Sequence, residues 1–300
     1  MAAISIILLL LAIHQTIRVE VSLVTVGVRV TDSRGRDVQG LKAEDFTILE
    51  DGVRREVAFF SGETQPMTLG ILLDSSGSME YNRKIDRAKE AARALVGGAL
   101  AGSEFFYIDF DERVTPASDF TTDRLKIESA IEQTSAEGGT SLYDALLQGL
   151  TMTDRARLPL QALVVISDGA DQHSKSNLEE ILDIVRKSEI QIYTIGYFSP
   201  EEERLFRTPG TQLSLTNGVA VDNPRIALEK IARESGAASF FPASDKELAE
   251  AIVKINEDLK TQYTIAFYPA SLDRNRYHSL KVTVPGNRYN VRARPGFGLQ

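Results

Sequence analysis

The sequence predicts an α/β protein, a doubly wound and mostly parallel sheet with a small flanking β-sandwich drawn from both chain ends. Three observations lead there. In the middle of the chain, short uncharged apolar runs alternate with helical periodicity, as strands covered by helices on both faces do. Near each end the apolar residues instead recur with period two, between turn residues. The 300 residues, 43% hydrophobic and 25% charged, are of ordinary globular composition and long enough for about two domains.

In chain order, Ile4 to Ile13 reads I-S-I-I-L-L-L-L-A-I, about half the length of a membrane-spanning helix. This suits the apolar core of a signal peptide, although no Lys or Arg precedes it and no small-x-small cleavage site follows. We read residues 1–16 as a signal or apolar amino-terminal segment. The chain is accordingly expected to be exported to the periplasm, the cell surface or the medium, with membrane association only through that segment.

Residues 17–62 together with 263–300 form the expected sandwich. Arg18 to Asp32 alternates with a slip near Leu23, which predicts a long strand carrying a bulge. Phe46 to Leu49 is a strand, Asp51-Gly52 a hairpin turn and Val57 to Phe60 the returning strand. At the other end Tyr263 to Tyr268, Leu280 to Val284 and Tyr289 to Ala293 read as strands, the last two joined across Pro285-Gly286-Asn287. Three or four strands are marginal alone, so pairing the two ends into one sandwich, with the rest inserted, buries both sets. Arg288, Arg292 and Arg294 alternate along the last strand and read as a solvated face guarding a sheet edge.

Residues 67–262 carry the parallel sheet. Its strands are expected at Leu69 to Leu73, Phe105 to Phe110, Ala162 to Ile166, Ile190 to Ile195 and Ser239 to Phe241. One helix runs from about Lys84 to Leu100 with Ile85, Ala88, Ala92, Leu95 and Val96 on a stripe, and another begins near Leu142. A helix from Leu178 to Lys187 is assigned a capping box of Ser176 and Glu179. Asn223-Pro224 opens a helix that stops at Gly236, and Ser244 with Glu247 caps one bearing Leu248, Ile252, Ile255 and Leu259. Residues 198 to 222 lack periodicity and read as a long loop. The aromatic pairs Phe59-Phe60 and Phe240-Phe241 read as core.

Composition narrows the function. With 34 basic and 42 acidic residues the chain has a net charge of −8, which repels a phosphate backbone, so nucleic acid is not an expected partner. There is no cysteine, which removes disulfides, thiolate metal sites and cysteine nucleophiles. His14, His173 and His278 have no ligand spacing, so a metal here would be held by oxygen.

Oxygen donors gather at three predicted loops. The first strand ends in Leu73-Asp74-Ser75-Ser76-Gly77-Ser78, Gly138-Gly139-Thr140-Ser141 precedes the helix at Leu142, and another strand ends in Ile166-Ser167-Asp168-Gly169. The carboxyl edge of an open α/β sheet is where ligands bind. Carboxylates with neutral hydroxyls select a hard divalent ion, Mg²⁺, or Mn²⁺ and Ca²⁺ with looser spacing, and leave it electrophilic toward an added carboxylate.

Asp-x-Ser-x-Ser at 74 to 78, followed by Thr140 and Asp168, resembles the metal-ion-dependent adhesion site of von Willebrand factor A (VWA) domains, with the flanking strands similar to bacterial "VWFA-related" proteins. The resemblance covers about residues 67 to 262. It implies that Asp74, Ser76, Ser78, Thr140 and Asp168 hold the metal, and that a protein ligand presenting an Asp or Glu completes its sphere, sometimes with a shift of the last helix. It implies protein binding in adhesion or interaction, not catalysis.

Plainer roles compete. A lone Asp at a strand end is more often a turn or helix cap, and Thr140 could cap the helix at Leu142; five oxygen residues in the right order favour the metal. Asp109-Phe110-Asp111 suggests a metal-dependent, phosphatase-like enzyme with an aspartyl nucleophile, but Arg113 stands where that pattern needs Thr or Val, so these read as solvated strand-end charges. A structural module stiffened by its metal is the other alternative. His173 is expected at the surface near the site, because imidazole suits Mg²⁺ poorly.

Overall fold

In a computed structural model, which describes residues 23–299 except 209, 211, 215–219, 275 and 287, the chain enters through β1 (Val24–Asp32). Its Val24, Val26, Val28 and Val30 face inward and are buried, as period-two alternation requires. β2 (Thr47–Glu50) and β3 (Val53–Arg55) make a hairpin across Asp51 and Gly52, which take φ of 48° and 80°. β4 (Phe59–Ser61) follows.

The central unit then runs through β5 (Thr68–Asp74), α1 (Lys84–Gly98), β6 (Glu104–Phe110) and β7 (Val114–Thr121). It continues with α2 (Arg124–Glu132), α3 (Leu142–Thr153), β8 (Gln161–Ser167) and α4 (Leu178–Lys187). After β9 (Gln191–Gly196) come α5 (Pro200–Phe206) and the small pair β10 (Gln212–Ser214) and β11 (Ala220–Asp222). α6 (Pro224–Ser235), β12 (Ser239–Phe240) and α7 (Asp245–Thr261) complete it. The chain closes with β13 (Tyr263–Phe267), β14 (Tyr277–Thr283), β15 (Tyr289–Arg292) and β16 (Gly296–Gly298).

The six-stranded sheet has the order β12-β9-β8-β5-β6-β7, parallel except for β7 at its edge. Both faces are covered. On β8, Ala162, Val164 and Ile166 pack against α1, α2 and α7, while Leu163 and Val165 pack against α3, α4 and α6. Every residue of β5 is buried, which explains why its sequence is a continuous apolar run. The chain leaves β5 toward β6 on one side and later returns to its other side as β8, so a topological switch point lies between the carboxyl ends of β5 and β8.

Two four-stranded antiparallel sheets flank this unit, with orders β15-β1-β13-β4 and β16-β14-β2-β3. Their strands come from both ends of the described chain, and Val26, Val28, Ile48, Ile265, Phe267 and Phe297 are buried between them.

Several expectations change in the structure. The strand that returns against β2 is β3, whereas β4 pairs with β13 in the opposite sheet and leaves Phe59 about half exposed. The strands on either side of Pro285-Gly286 lie in different sheets, so their connection crosses the sandwich. Of the three arginines read as solvated, only Arg288 is. Arg292 reaches buried Asp258 on α7, and Arg294, almost fully buried, donates to the Ser188 carbonyl at 2.6 Å. The face they occupy meets the central unit instead of water.

The box that caps α4 is Asn177 with Glu180, one residue later than expected, because Ser176 is held by Asp144 instead. β7 and α2 were not anticipated, and 198–222 contains α5 and the β10–β11 pair where a loop was expected. His14 and the start of the Arg18 to Asp32 strand lie outside the described residues.

Candidate metal centre

The switch point gathers the loops that follow β5, precede α3 and follow β8. Backbone bonds tie them together. Gly77 N–H donates to the Gly138 carbonyl at 3.0 Å and Glu137 N–H to the Ser75 carbonyl at 2.7 Å. Gly138 makes this approach with a φ of 69°, and its ideal Cβ would lie 3.3 Å from Asp111 Oδ2, so glycine suits the position. Gln172 and His173 N–H groups both donate to the Thr140 carbonyl, at 3.1 and 3.0 Å, which fixes the third loop on the second.

Asp74 is fully buried at the end of β5. Its Oδ1 accepts from Ser76 N–H at 2.8 Å and its Oδ2 from the Ser167 hydroxyl at 2.5 Å. Ser76 Oγ lies 3.0 Å from Ser78 Oγ, with Ser76 buried and Ser78 half-buried. Thr140 is buried; the α3 N-cap is its neighbour Ser141, so Thr140 is not spent as that helix's cap. Asp168 is buried, and its Oδ2 accepts from Lys84 Nζ at 3.1 Å while its Oδ1 has no hydrogen-bond partner. Burial, and next the nearby charge of Asp168, push the Asp74 pKa above the ordinary carboxylate range, and bonds from Ser167 and Ser76 offset only part of this.

Two mutually repelling buried carboxylates, an orphaned carboxylate oxygen and nearby hydroxyls form a hard-oxygen donor set that fits a divalent cation. The set holds only two acids; among the described residues no group of three or more His, Asp or Glu side chains has metal-holding spacing. Its chemistry is attraction for a cation. His173 is exposed beside the site, with its Nδ1 accepting from Thr140 N–H at 3.4 Å.

Lys84 and Glu202 escaped sequence reasoning, and Ser167, quoted within its loop, was given no role toward Asp74. Lys84 is buried at the start of α1 and Nζ also bonds Glu202 Oε2 and Oε1, at 3.0 and 3.2 Å. A cation in the first turn of a helix opposes the macrodipole, and that was a signal that Lys84 has charged partners.

Asp109, near the end of β6, and Asp111, just after it, are not solvated strand-end charges. Asp111 is buried, and hydrogen bonds from Arg113 hold its pKa low against the effect of burial. Asp109 accepts from the Ser75 hydroxyl. Both side chains are engaged in hydrogen bonds with neighbouring residues.

Residues 69–170 match the family described as von Willebrand factor type A domain. Among curated proteins the chain is 25% identical over 197 residues to inter-alpha-trypsin inhibitor heavy chain H4 of Sus scrofa, covering 61% of this chain and 19% of that one. It is also 25% identical over 136 residues to an uncharacterized protein of Synechocystis, covering 44% of this chain and 32% of the relative. The chain thus spans less than a third of the length of the curated relatives it matches.

Among solved structures, a von Willebrand factor type A protein from Catenulispora acidiphila aligns with a TM-score of 0.51 at 15% identity, over 85% of this chain and 74% of that one. The vWF domain of the type V pili tip protein Mfa5 from Porphyromonas gingivalis aligns with a TM-score of 0.50 at 13% identity, over 65% and 95%. Proximal thread matrix protein 1 from the mussel byssus, with a zinc-occupied MIDAS motif, aligns with a TM-score of 0.50 at 15% identity, over 70% and 49%. These likenesses establish the shared fold. Among the described residues no helix is long and apolar enough to cross a membrane.

Proposed function

We propose that the von Willebrand factor type A domain carried by this chain, matched over residues 69–170, is a divalent-metal-dependent protein-binding module. Asp74, Ser76, Ser78, Thr140 and Asp168 hold the ion, Mg²⁺ or else Mn²⁺ or Ca²⁺, and the metal accepts an Asp or Glu side chain of a partner protein. The single observation that carries this reading is the buried, unpartnered Oδ1 of Asp168, on a carboxylate whose charge already raises the pKa of buried Asp74. A bound cation would supply a Lewis-acidic position for the incoming carboxylate. The protein's own residues fix the loops and neutralise part of the ion's charge.

The binding unit is taken as residues 67–262, with 17–62 and 263–300 as its supporting sandwich. Export follows from the apolar segment at 1–16, and a pilus tip protein and a byssus matrix protein among structures of this fold accord with it.

Calorimetric titration of Mg²⁺ into metal-stripped protein tests the reading. The wild type is expected to bind one ion, and Asp74→Ala to show no measurable binding. Heat from the wild type that persists in Asp74→Ala would place the ion elsewhere. If Mg²⁺ raises the melting temperature but no Asp- or Glu-bearing partner binds in its presence, the metal is a structural stiffener instead.

A further inference from the structure

Among the described residues, the 198–222 insertion reaches the candidate metal centre through the contact of Glu202 with Lys84. Lys84 Nζ bridges Asp168 Oδ2 at 3.1 Å and the Glu202 carboxylate at 3.0 and 3.2 Å, so its three donors are all used. Glu202 belongs to α5, where it forms a capping box with Ser199: Ser199 N–H donates to Glu202 Oε2 at 2.6 Å, and Glu202 N–H to Ser199 Oγ at 3.2 Å. The Lys84 side chain is 7% exposed, against 35% for Glu202, so the ammonium is sealed between a candidate metal ligand and a more accessible acid.

We propose that Lys84 is a resident cation that competes with the metal for Asp168, and that Glu202 of α5 draws it off, so that this pair sets the affinity of the site and couples the insertion to metal occupancy. The inference rests on the metal-binding reading above.

The argument is electrostatic. Without a divalent ion, two buried carboxylates need a counter-charge, and Lys84 supplies it to Asp168. When a 2+ ion binds Asp168, the ammonium beside it becomes a like charge in a poorly solvated place. Glu202 already holds that ammonium by two contacts, so it can keep Lys84 neutralised after Asp168 turns to the metal. With Asp168 on one side and both Glu202 oxygens on the other, all within 3.2 Å, the ammonium is a positive charge with a movable allegiance.

The two partners should have opposite effects on metal binding, whereas a merely structural ion pair would give effects of the same sign when either side is removed. Lys84→Met keeps the aliphatic stem and removes the competitor, leaving Glu202 as an extra acid near the site. Glu202→Gln keeps an acceptor for the Ser199 cap and removes the charge that restrains Lys84. In calorimetric titrations of Mg²⁺ into metal-stripped protein, Lys84→Met is expected to tighten binding about tenfold and Glu202→Gln to weaken it about tenfold. Lys84→Arg, which keeps the charge, should stay within about threefold of the wild type.

Thermal melts without metal check that each variant folds; if Lys84→Met does not, Glu202→Gln alone decides. Wild-type binding with Lys84→Met unchanged or weaker, or with Glu202→Gln unchanged, overturns the inference and leaves the metal site standing. Absence of Mg²⁺ binding in both wild type and Lys84→Met overturns the metal site and the inference together.

Discussion

Asp74 lies beside Asp168 where water is scarce, so without a metal its ionisation is disfavoured. Burial and the charge of Asp168 raise the folded pKa of Asp74 above its unfolded value of about 3.9. As pH rises past about 4, the unfolded chain gives up this proton first, so the metal-free fold loses stability with rising pH until Asp74 itself ionises. A bound divalent ion favours the ionised form and removes that loss. Mg²⁺ should therefore raise the melting temperature more at pH 8 than at pH 5, and Asp74→Asn should abolish the difference. Equal stabilisation at the two pH values would show that Asp74 is not a ligand.

The five candidate ligands were legible because loop spacing and residue chemistry coincide: Asp-x-Ser-x-Ser lies in one turn after an apolar strand. Lys84 and Glu202 were not. They stand 118 positions apart and meet only after the insertion folds back over α1, and no local spacing encodes that contact.

At the scale of elements, strongly apolar pieces were readable and polar ones were not. Four of the parallel strands, β5, β6, β8 and β9, follow from apolar runs that are buried almost throughout. β7 was missed because an edge strand carrying Pro116 with one face toward solvent lacks such a run. α2 buries only Ile127 and Ile131, too thin a stripe to announce a helix. α5 has almost no apolar periodicity, and its signal is the cap: Ser199, Pro200 at the first helical position and Glu202.

The end of α6 was legible, since Gly236 stops the helix with a φ of 83°. The structure adds a second demand there, because an ideal Cβ on Gly236 would lie 2.5 Å from the Arg294 backbone nitrogen, which a side-chain rotation cannot relieve. Gly236→Ala should cost about 1–2 kcal/mol for the left-handed conformation and about 1–3 kcal/mol more for the clash. Gly40→Ala is the control: φ is 80° but nothing lies within 4 Å, so only the conformational part applies. Chemical denaturation of both variants measures the difference, and equal costs would mean that Gly236 does not meet the sandwich as described.

Across the whole molecule the flanking sheets are joined to the central unit by buried charge as well as by chain continuity. Asp258, in the last turn of α7 and fully buried, is ion-paired with Arg29 Nη1 from β1 at 2.6 Å and hydrogen-bonded by Arg292 from β15. Its pKa is pushed up by burial even though both arginines pull it down, which shows how dry the place is. Sequence alternation cannot distinguish an arginine row facing water from one facing another unit, since both read as polar on every second residue, so alternation alone assigns Arg292 and Arg294 to an exposed edge.

Breaking one member of such a triad leaves the others uncompensated. Asp258→Ala should cost about 3–5 kcal/mol, while replacing Asp258 and Arg292 together by Leu and Met should cost much less than the sum of the single changes. Arg29 limits the damage, because Asp37 still holds its Nε at 2.8 Å. If the triad is what makes the two units unfold together, Asp258→Ala should also split one denaturation transition into two. A cost below about 1 kcal/mol with a single sharp transition would mean that the apolar contacts of α7 and the chain crossings suffice to hold the sandwich, and that the buried charges serve only to fix its orientation.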